Sequence, residues 1–226
     1  MTPFAPPRDA EALRAMYPES DGKPMSDNTK QARWIFLFYG NLCALFADRA
    51  DVFVAADNLW YPVEKRPKVR KAPDVYVVFG RPKGDRGSYM QWLENDIPLT
   101  VVFEILSPRN TKKEMAKKFD FYERHGVEEY YVYDPDRNTL EIYTRDEATL
   151  RRCADISKFV SPRLSIRFEM TRPEMTVYGP GGRQFHSFDD NASRAARLAE
   201  LSRKARRGQA TPEEVAELER LEEELA

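Results

Sequence analysis

The sequence predicts an α/β fold: a mixed sheet flanked by helices, with a helical hairpin at its C-terminal end. Three observations lead there. Strand-like apolar runs at 73–79 and 99–106 sit between stretches of helical periodicity at 26–47 and 111–125. Turn signals then separate two further short strands, at 129–133 and 139–143. Finally, from residue 192 the chain changes character, with a basic helical stretch followed by an acidic one.

Residues 1–25 are Pro-rich and weakly periodic, and read as a loosely docked N-terminal arm. A helix is expected from Ser26 or Asp27 to Ala47–Ala50. Its apolar positions Trp34, Leu37, Phe38, Leu42, Leu45 and Phe46 recur at three- and four-residue steps. Residues 51–56 alternate as a strand, Asp57-Asn58 marks a turn, and 59–63 reads as the returning strand. A loop holding Pro67 and several Lys and Arg leads to strand 73–79, and a polar loop (80–96) leads to strand 99–106.

Ser107-Pro108-Arg109-Asn110 stops that strand, and Thr111-Lys112-Lys113-Glu114 is a capping-box sequence opening a helix to about His125. Gly126 suits the left-handed residue after its end. Asp134-Pro135-Asp136-Arg137-Asn138 joins the two short strands as a turn, and another strand is expected at Leu164–Phe168. The domain is thus read as 26–190, with 191–226 as an appendage. Residues 192–207 carry six basic residues against Glu200, and 211–226 carry seven Glu against Arg220. An antiparallel hairpin turning at Gly208 would pair them, and its expected role is to hold protein to protein in a homo-oligomer, a dimer. A basic DNA-binding arm is the competing reading, weakened because the acidic half competes with phosphate.

With 226 residues, 42% hydrophobic and 12% aromatic, the chain can bury a full core. It has no apolar run long enough to span a membrane and no signal-like start, so a cytoplasmic location and no membrane partner are expected. Cys43 and Cys153 are too few for a disulfide framework, and Cys43 reads as a small buried thiol. Two histidines, His125 and His186, exclude a histidine-rich metal centre. A net charge of −1 excludes a globally basic nucleic-acid binder, leaving only a local surface for such a partner.

Chemistry concentrates at two carboxylates. Asp74 opens Pro73-Asp74-Val75-Tyr76-Val77-Val78-Phe79, and Glu104 interrupts Thr100-Val101-Val102-Phe103-Glu104-Ile105-Leu106. The second run is apolar on both alternating faces, the pattern of a strand covered on both sides. A lone ionised Glu there costs several kcal/mol, so it needs a metal, a proton or a partner. Two carboxylates on neighbouring strands make a hard-cation site. On helix 111–125, Met115, Phe119 and Tyr122 set the buried stripe. Lys118 lies on its flank, about 60° from Met115, while Lys117 points to solvent. Two acids and a lysine suit metal-dependent phosphodiester hydrolysis. The competing readings are a strand-entry cap for Asp74, a structural Arg partner for Glu104 and a solvated helix lysine for Lys118.

The runs Ala72-Pro73-Asp74-Val75, Phe103-Glu104-Ile105-Leu106-Ser107-Pro108, Lys118-Phe119-Asp120-Phe121-Tyr122 and Gly126-Val127-Glu128-Glu129-Tyr130 with Tyr133-Asp134-Pro135 resemble the Uma-two family of the PD-(D/E)XK nuclease superfamily, over roughly residues 26–185. The resemblance implies a restriction-endonuclease-like fold, Mg²⁺ dependence (Mn²⁺ as a substitute) and DNA as the substrate cleaved. It carries the metal-binding Asp onto Asp74, the second acidic ligand onto Glu104 and the catalytic lysine onto Lys118. The superfamily pattern places lysine two residues after the second acid, and Leu106 stands there; Lys118 would take the role over from the helix. Asp27 is the candidate for an additional acid from the first helix. A catalytically weak module of the same fold, binding DNA or protein, is the alternative function.

Overall fold

The computed structural model describes residues 10–22, 24–171 and 173–225. Helix α1 (Ala10–Met16) precedes Tyr17, which is buried edge-on against Tyr61 at 5.2 Å between ring centroids and accepts the Lys65 N–H at 2.6 Å. The described part of the expected arm is therefore pinned to the domain by an aromatic anchor. Its first nine residues lie outside the described residues.

Helix α2 (Thr29–Leu45) starts slightly later than expected, because the Asn28 side chain caps it by accepting the Gln31 N–H. Trp34, Ile35, Phe38 and Leu42 form its buried stripe. The main sheet has six strands: β1 (Val52–Ala56), β3 (Val75–Phe79), β5 (Val101–Ile105), β6 (Glu129–Asp134), β7 (Thr139–Asp146) and β8 (Thr149–Arg152), in that spatial order. All neighbours are antiparallel except β5 and β6. A parallel pair needs a crossover, and α3 (Lys112–Arg124) supplies it. Phe38 of α2 stacks on Phe103 of β5 at 4.5 Å on one face; Tyr122 of α3 packs with Tyr130 of β6 on the other. The sheet is covered on both sides, as the apolar runs require.

Three elements depart from the sequence reading. The strand expected at 59–63 does not return beside β1. A two-residue hairpin turn of the favoured kind needs positive φ at both central residues, and only Asp57 (φ 47°) supplies it. The chain instead leaves the sheet as β2 (Trp60–Tyr61), which pairs in parallel with β4 (Tyr89–Met90). Strand β8 has one buried apolar residue, Leu150, and shows no alternation to read. The late strand is β9 (Arg167–Glu169), paired with β10 (Thr176–Tyr178), while Leu164 and Ile166 enter the core from irregular chain. Cys43 is half-buried rather than enclosed.

Helices α4 (Phe188–Arg206) and α5 (Pro212–Leu225) form the expected hairpin, with Gly208 at φ 65° in the turn. Leu201, Leu218 and Leu221 make its seam. Arg197 Nη2 meets Glu217 at 2.7 Å, and Lys204 Nζ meets Glu214 at 2.7 Å. The Asn41 side chain holds both the carbonyl (2.8 Å) and the N–H (3.2 Å) of His186, tying the hairpin's root to α2. Among the described residues no helix is long and apolar enough to cross a membrane. Since Leu201 is fully buried in a thin seam, Leu201→Ala should cost about 2–4 kcal/mol locally. Hydrogen exchange would show α4 and α5 losing protection together while the six-stranded sheet keeps its own.

Candidate active site

Glu104 is the penultimate residue of β5 on the face toward α3, and only 2% of it is exposed. Its compensation comes from one helix. Lys118 Nζ donates to Oε2 at 2.6 Å, and Tyr122 Oη donates to Oε1 at 2.5 Å. The two donors are four residues apart, so they lie on the same face of α3, and each takes one oxygen. Lys117 is exposed, which is the helical phase the apolar stripe predicted. Tyr122, read in the sequence only as part of that stripe, is thus also a hydrogen-bond donor to the carboxylate. Its hydroxyl proton is held tightly, because burial and the adjacent Glu104 raise its pKa well above the ordinary value.

Asp74 stands on the neighbouring strand side, just before β3. Its Oδ2 accepts the Ile105 N–H at 2.6 Å, and among the described residues its Oδ1 accepts no hydrogen bond. Pro73 explains this arrangement. Continuing the register Val75↔Phe103 places Ile105 opposite Pro73, and a proline has no N–H to give a ladder. Gln31 Nε2 therefore donates to the Ile105 C=O in its place at 2.8 Å. The Pro73 carbonyl accepts the Asp57 N–H at 3.2 Å, and the Ile105 N–H goes to Asp74 instead.

Asp74, Lys118, Gln31 and Asp27 share one cavity of about 720 Å³, with Lys68, Arg70, Lys71 and Arg109 around it and Asp57 and Glu114 also on its wall. Asp27 is brought to this cavity but is engaged elsewhere: its carboxylate accepts from Ser107 Oγ at 2.5 Å and from Arg109 at 3.3 Å. Among the described residues no three His, Cys, Asp or Glu side chains cluster closely enough to share one ion. Asp57, read in the sequence only as a turn residue, lies near enough to raise the Asp74 pKa. His125 packs on Phe121 at 4.6 Å and on Trp60 at 5.9 Å, among aromatic rings and not on the cavity wall.

The electrostatics of the acids and the lysine are opposed. Burial, and then the charge of Glu104, push the Asp74 pKa well above the carboxylate range. Burial works against the Lys118 ammonium, yet Glu104 and Asp74 more than offset it and hold its pKa above the usual value. The donor set is all oxygen, from Glu104 on β5 and Asp74 at the entry to β3, in a desolvated recess. It fits a hard divalent cation, whose charge would relieve the repulsion at Asp74.

A sign follows for stability. A carboxyl with a raised folded-state pKa binds its proton more tightly in the folded chain, so stability falls as pH rises from the ordinary Asp value of about 3.9 toward the folded value. Asp74→Asn keeps an oxygen to accept from Ile105 and removes the charge. In EDTA the variant should unfold at higher urea than the parent at pH 7, and the gain should vanish by about pH 3. An equal gain at both pH values would show that charge is not its cause.

The family model Uma2, described as "Putative restriction endonuclease", matches residues 14–188. The match starts earlier than the motifs suggested and takes in the Tyr17 anchor. None of the curated proteins is a match. Among solved structures, one similar chain is "a putative nuclease belonging to DUF820" from Anabaena variabilis ATCC 29413. The two are 15% identical with a TM-score of 0.45, over 62% of this chain and 74% of that one. With more than half its length matched, from α1 through the root of the C-terminal hairpin, the chain belongs to the Uma2 family of restriction-endonuclease-type proteins.

Proposed function

We propose that this protein is a Mg²⁺-dependent endodeoxyribonuclease whose hydrolytic site is Asp74, Glu104 and Lys118. The observation that carries the reading is the 2.6 Å contact between Lys118 Nζ, which lines the cavity with Asp74, and Oε2 of Glu104, buried behind it. Family membership supports the phosphodiester chemistry. Asp74 and Glu104 would hold Mg²⁺, or Mn²⁺ in its place. The ion, when bound, would polarise the scissile phosphate and lower the pKa of a water.

The chain's own groups supply the rest. Lys118 stays protonated at neutral pH, since its pKa is held above the ordinary lysine value. It therefore acts as a fixed positive charge facing the developing negative charge on phosphate, not as a proton acceptor. Tyr122 fixes the Glu104 carboxylate from the other side and keeps its own proton. The cavity wall mixes Lys68, Arg70, Lys71 and Arg109 with Asp21, Asp27, Asp57, Asp74 and Glu114, and Arg109 pairs with Asp27. Lys68, Arg70 and Lys71 are the groups that would meet backbone phosphates. The paired charges of the C-terminal hairpin leave fewer of its arginines for phosphate than their number suggests.

Plasmid cleavage assayed with Mg²⁺, with Mn²⁺ and with EDTA tests the reading, with EDTA expected to abolish nicking. Asp74→Asn, Glu104→Gln and Lys118→Met should each lower the single-turnover rate by about 100-fold or more. Lys117→Met should stay within about twofold of the parent, because it lies on the solvated face. Circular dichroism must accompany Lys118→Met, since removing one partner of a buried pair costs about 3–5 kcal/mol. Equal losses at Lys117 and Lys118 in folded variants would sink the assignment of Lys118.

A further inference from the structure

Gln31 is a polar residue in the first turn of α2 and only 6% exposed. Both the nitrogen and the oxygen of its amide are hydrogen-bonded. Nε2 donates to Ile105 C=O at 2.8 Å, and Oε1 accepts the Asp27 N–H at 2.8 Å. The Gln31 backbone N–H is itself taken by the Asn28 cap at 2.9 Å, so the residue cannot shift without breaking the helix start. Asp27 in turn accepts from Ser107, two residues beyond Ile105. The start of α2 and the end of β5 are thus laced together by several hydrogen bonds.

What makes this more than packing is the identity of Ile105. It follows Glu104 directly, and its N–H is the group that Asp74 grips at 2.6 Å. Pro73 denies it a strand partner on that side, so nothing in the sheet ladder fixes its carbonyl. We infer that Gln31 is a positioning residue: by holding the Ile105 carbonyl it sets the separation and orientation of the Asp74 and Glu104 carboxylates. The inference rests on the hydrolytic reading for its functional meaning, although the geometric part stands apart from it.

Two variants test it in the full chain. Gln31→Met removes both side-chain bonds at similar length, and Gln31→Glu keeps the acceptor for Asp27 while removing the amide donor. The first readout needs neither metal nor cleavage: the Ile105 amide proton, followed by NMR in EDTA. It should move upfield in both variants as its bond to Asp74 lengthens. The second is single-turnover cleavage, expected to fall about tenfold or more with half-saturation by DNA within about twofold, the pattern of a group that orients ligands without touching substrate. Urea unfolding of each variant at the assay temperature controls for lost stability, and both should remain folded there. An unmoved Ile105 amide overturns the inference. So does a rate within twofold of the parent despite a moved amide, or a rate loss fully accounted for by the unfolded fraction of the variant. If the parent chain cleaves no DNA under any metal, the hydrolytic reading fails by itself, and the Ile105 amide still decides whether Gln31 places the pair.

Discussion

A carboxylate in the middle of a covered sheet must be compensated, and much of this structure follows from how Glu104 is. The strand cannot supply the donors, because its backbone groups belong to the ladder and its neighbours are apolar. The crossover helix can, since the parallel pairing of β5 and β6 forces a helix across the face on which Glu104 stands. Lys118 and Tyr122, one turn apart on α3, each take one carboxylate oxygen. The position of α3 over the sheet is therefore set by a polar contact as well as by its apolar stripe. Leaving such a carboxylate unpaired costs several kcal/mol, more than any single apolar contact of that stripe supplies.

A second constraint is the missing N–H of Pro73. It leaves the Ile105 carbonyl without a ladder donor, while the Pro73 carbonyl, the ladder acceptor for the Ile105 N–H, is taken by the Asp57 N–H. Asp74 takes the Ile105 N–H and Gln31 the carbonyl. Asp74 is held by a backbone donor in a recess where its charge is opposed by burial and by Glu104. This is a destabilising arrangement for the folded chain at neutral pH, and it persists because the surrounding sheet over-determines it. A divalent cation held there as proposed would relieve the same repulsion that lowers the stability of the folded chain.

The legible part of this site was the part written in alternation. Glu104 breaks a run apolar on both faces, and the helical phase of Met115, Phe119 and Tyr122 separates Lys118 from Lys117. What escaped reading were contacts made by residues whose local pattern is ordinary. Tyr122 fits an apolar stripe, and nothing in the stripe shows that its hydroxyl reaches a residue 18 positions earlier. Gln31 has the look of a solvated residue in a first helical turn, and only the packing of α2 against the end of β5 buries it. In the fold, the hairpin of charged helices followed from composition. By contrast β2 and β8 are too short or too polar to carry a period, and the identity of Asn58 does not show that its φ lies outside the left-handed region a hairpin turn needs.

The proposed role of Lys118 has a mechanical consequence. Position 106, where the resemblance would have put the lysine, shares the sheet face of Glu104, since residues two apart on a strand point the same way. Here Leu106 occupies it and borders an aromatic groove with Met115, Phe119 and Tyr143, while its N–H is committed to Tyr133 C=O at 2.8 Å. A lysine at 106 would be fixed to Glu104 by the strand alone, whatever the helix did. At 118 its charge arrives only when α3 is docked, and docking depends on Phe119 and Tyr122 meeting Tyr143 and Tyr130. The positive charge, the Tyr122 clamp and the helix packing thus form one unit. Loosening the aromatic contacts withdraws the ammonium and the hydroxyl from Glu104 together, which couples the integrity of the core on this face directly to the electrostatics of the site.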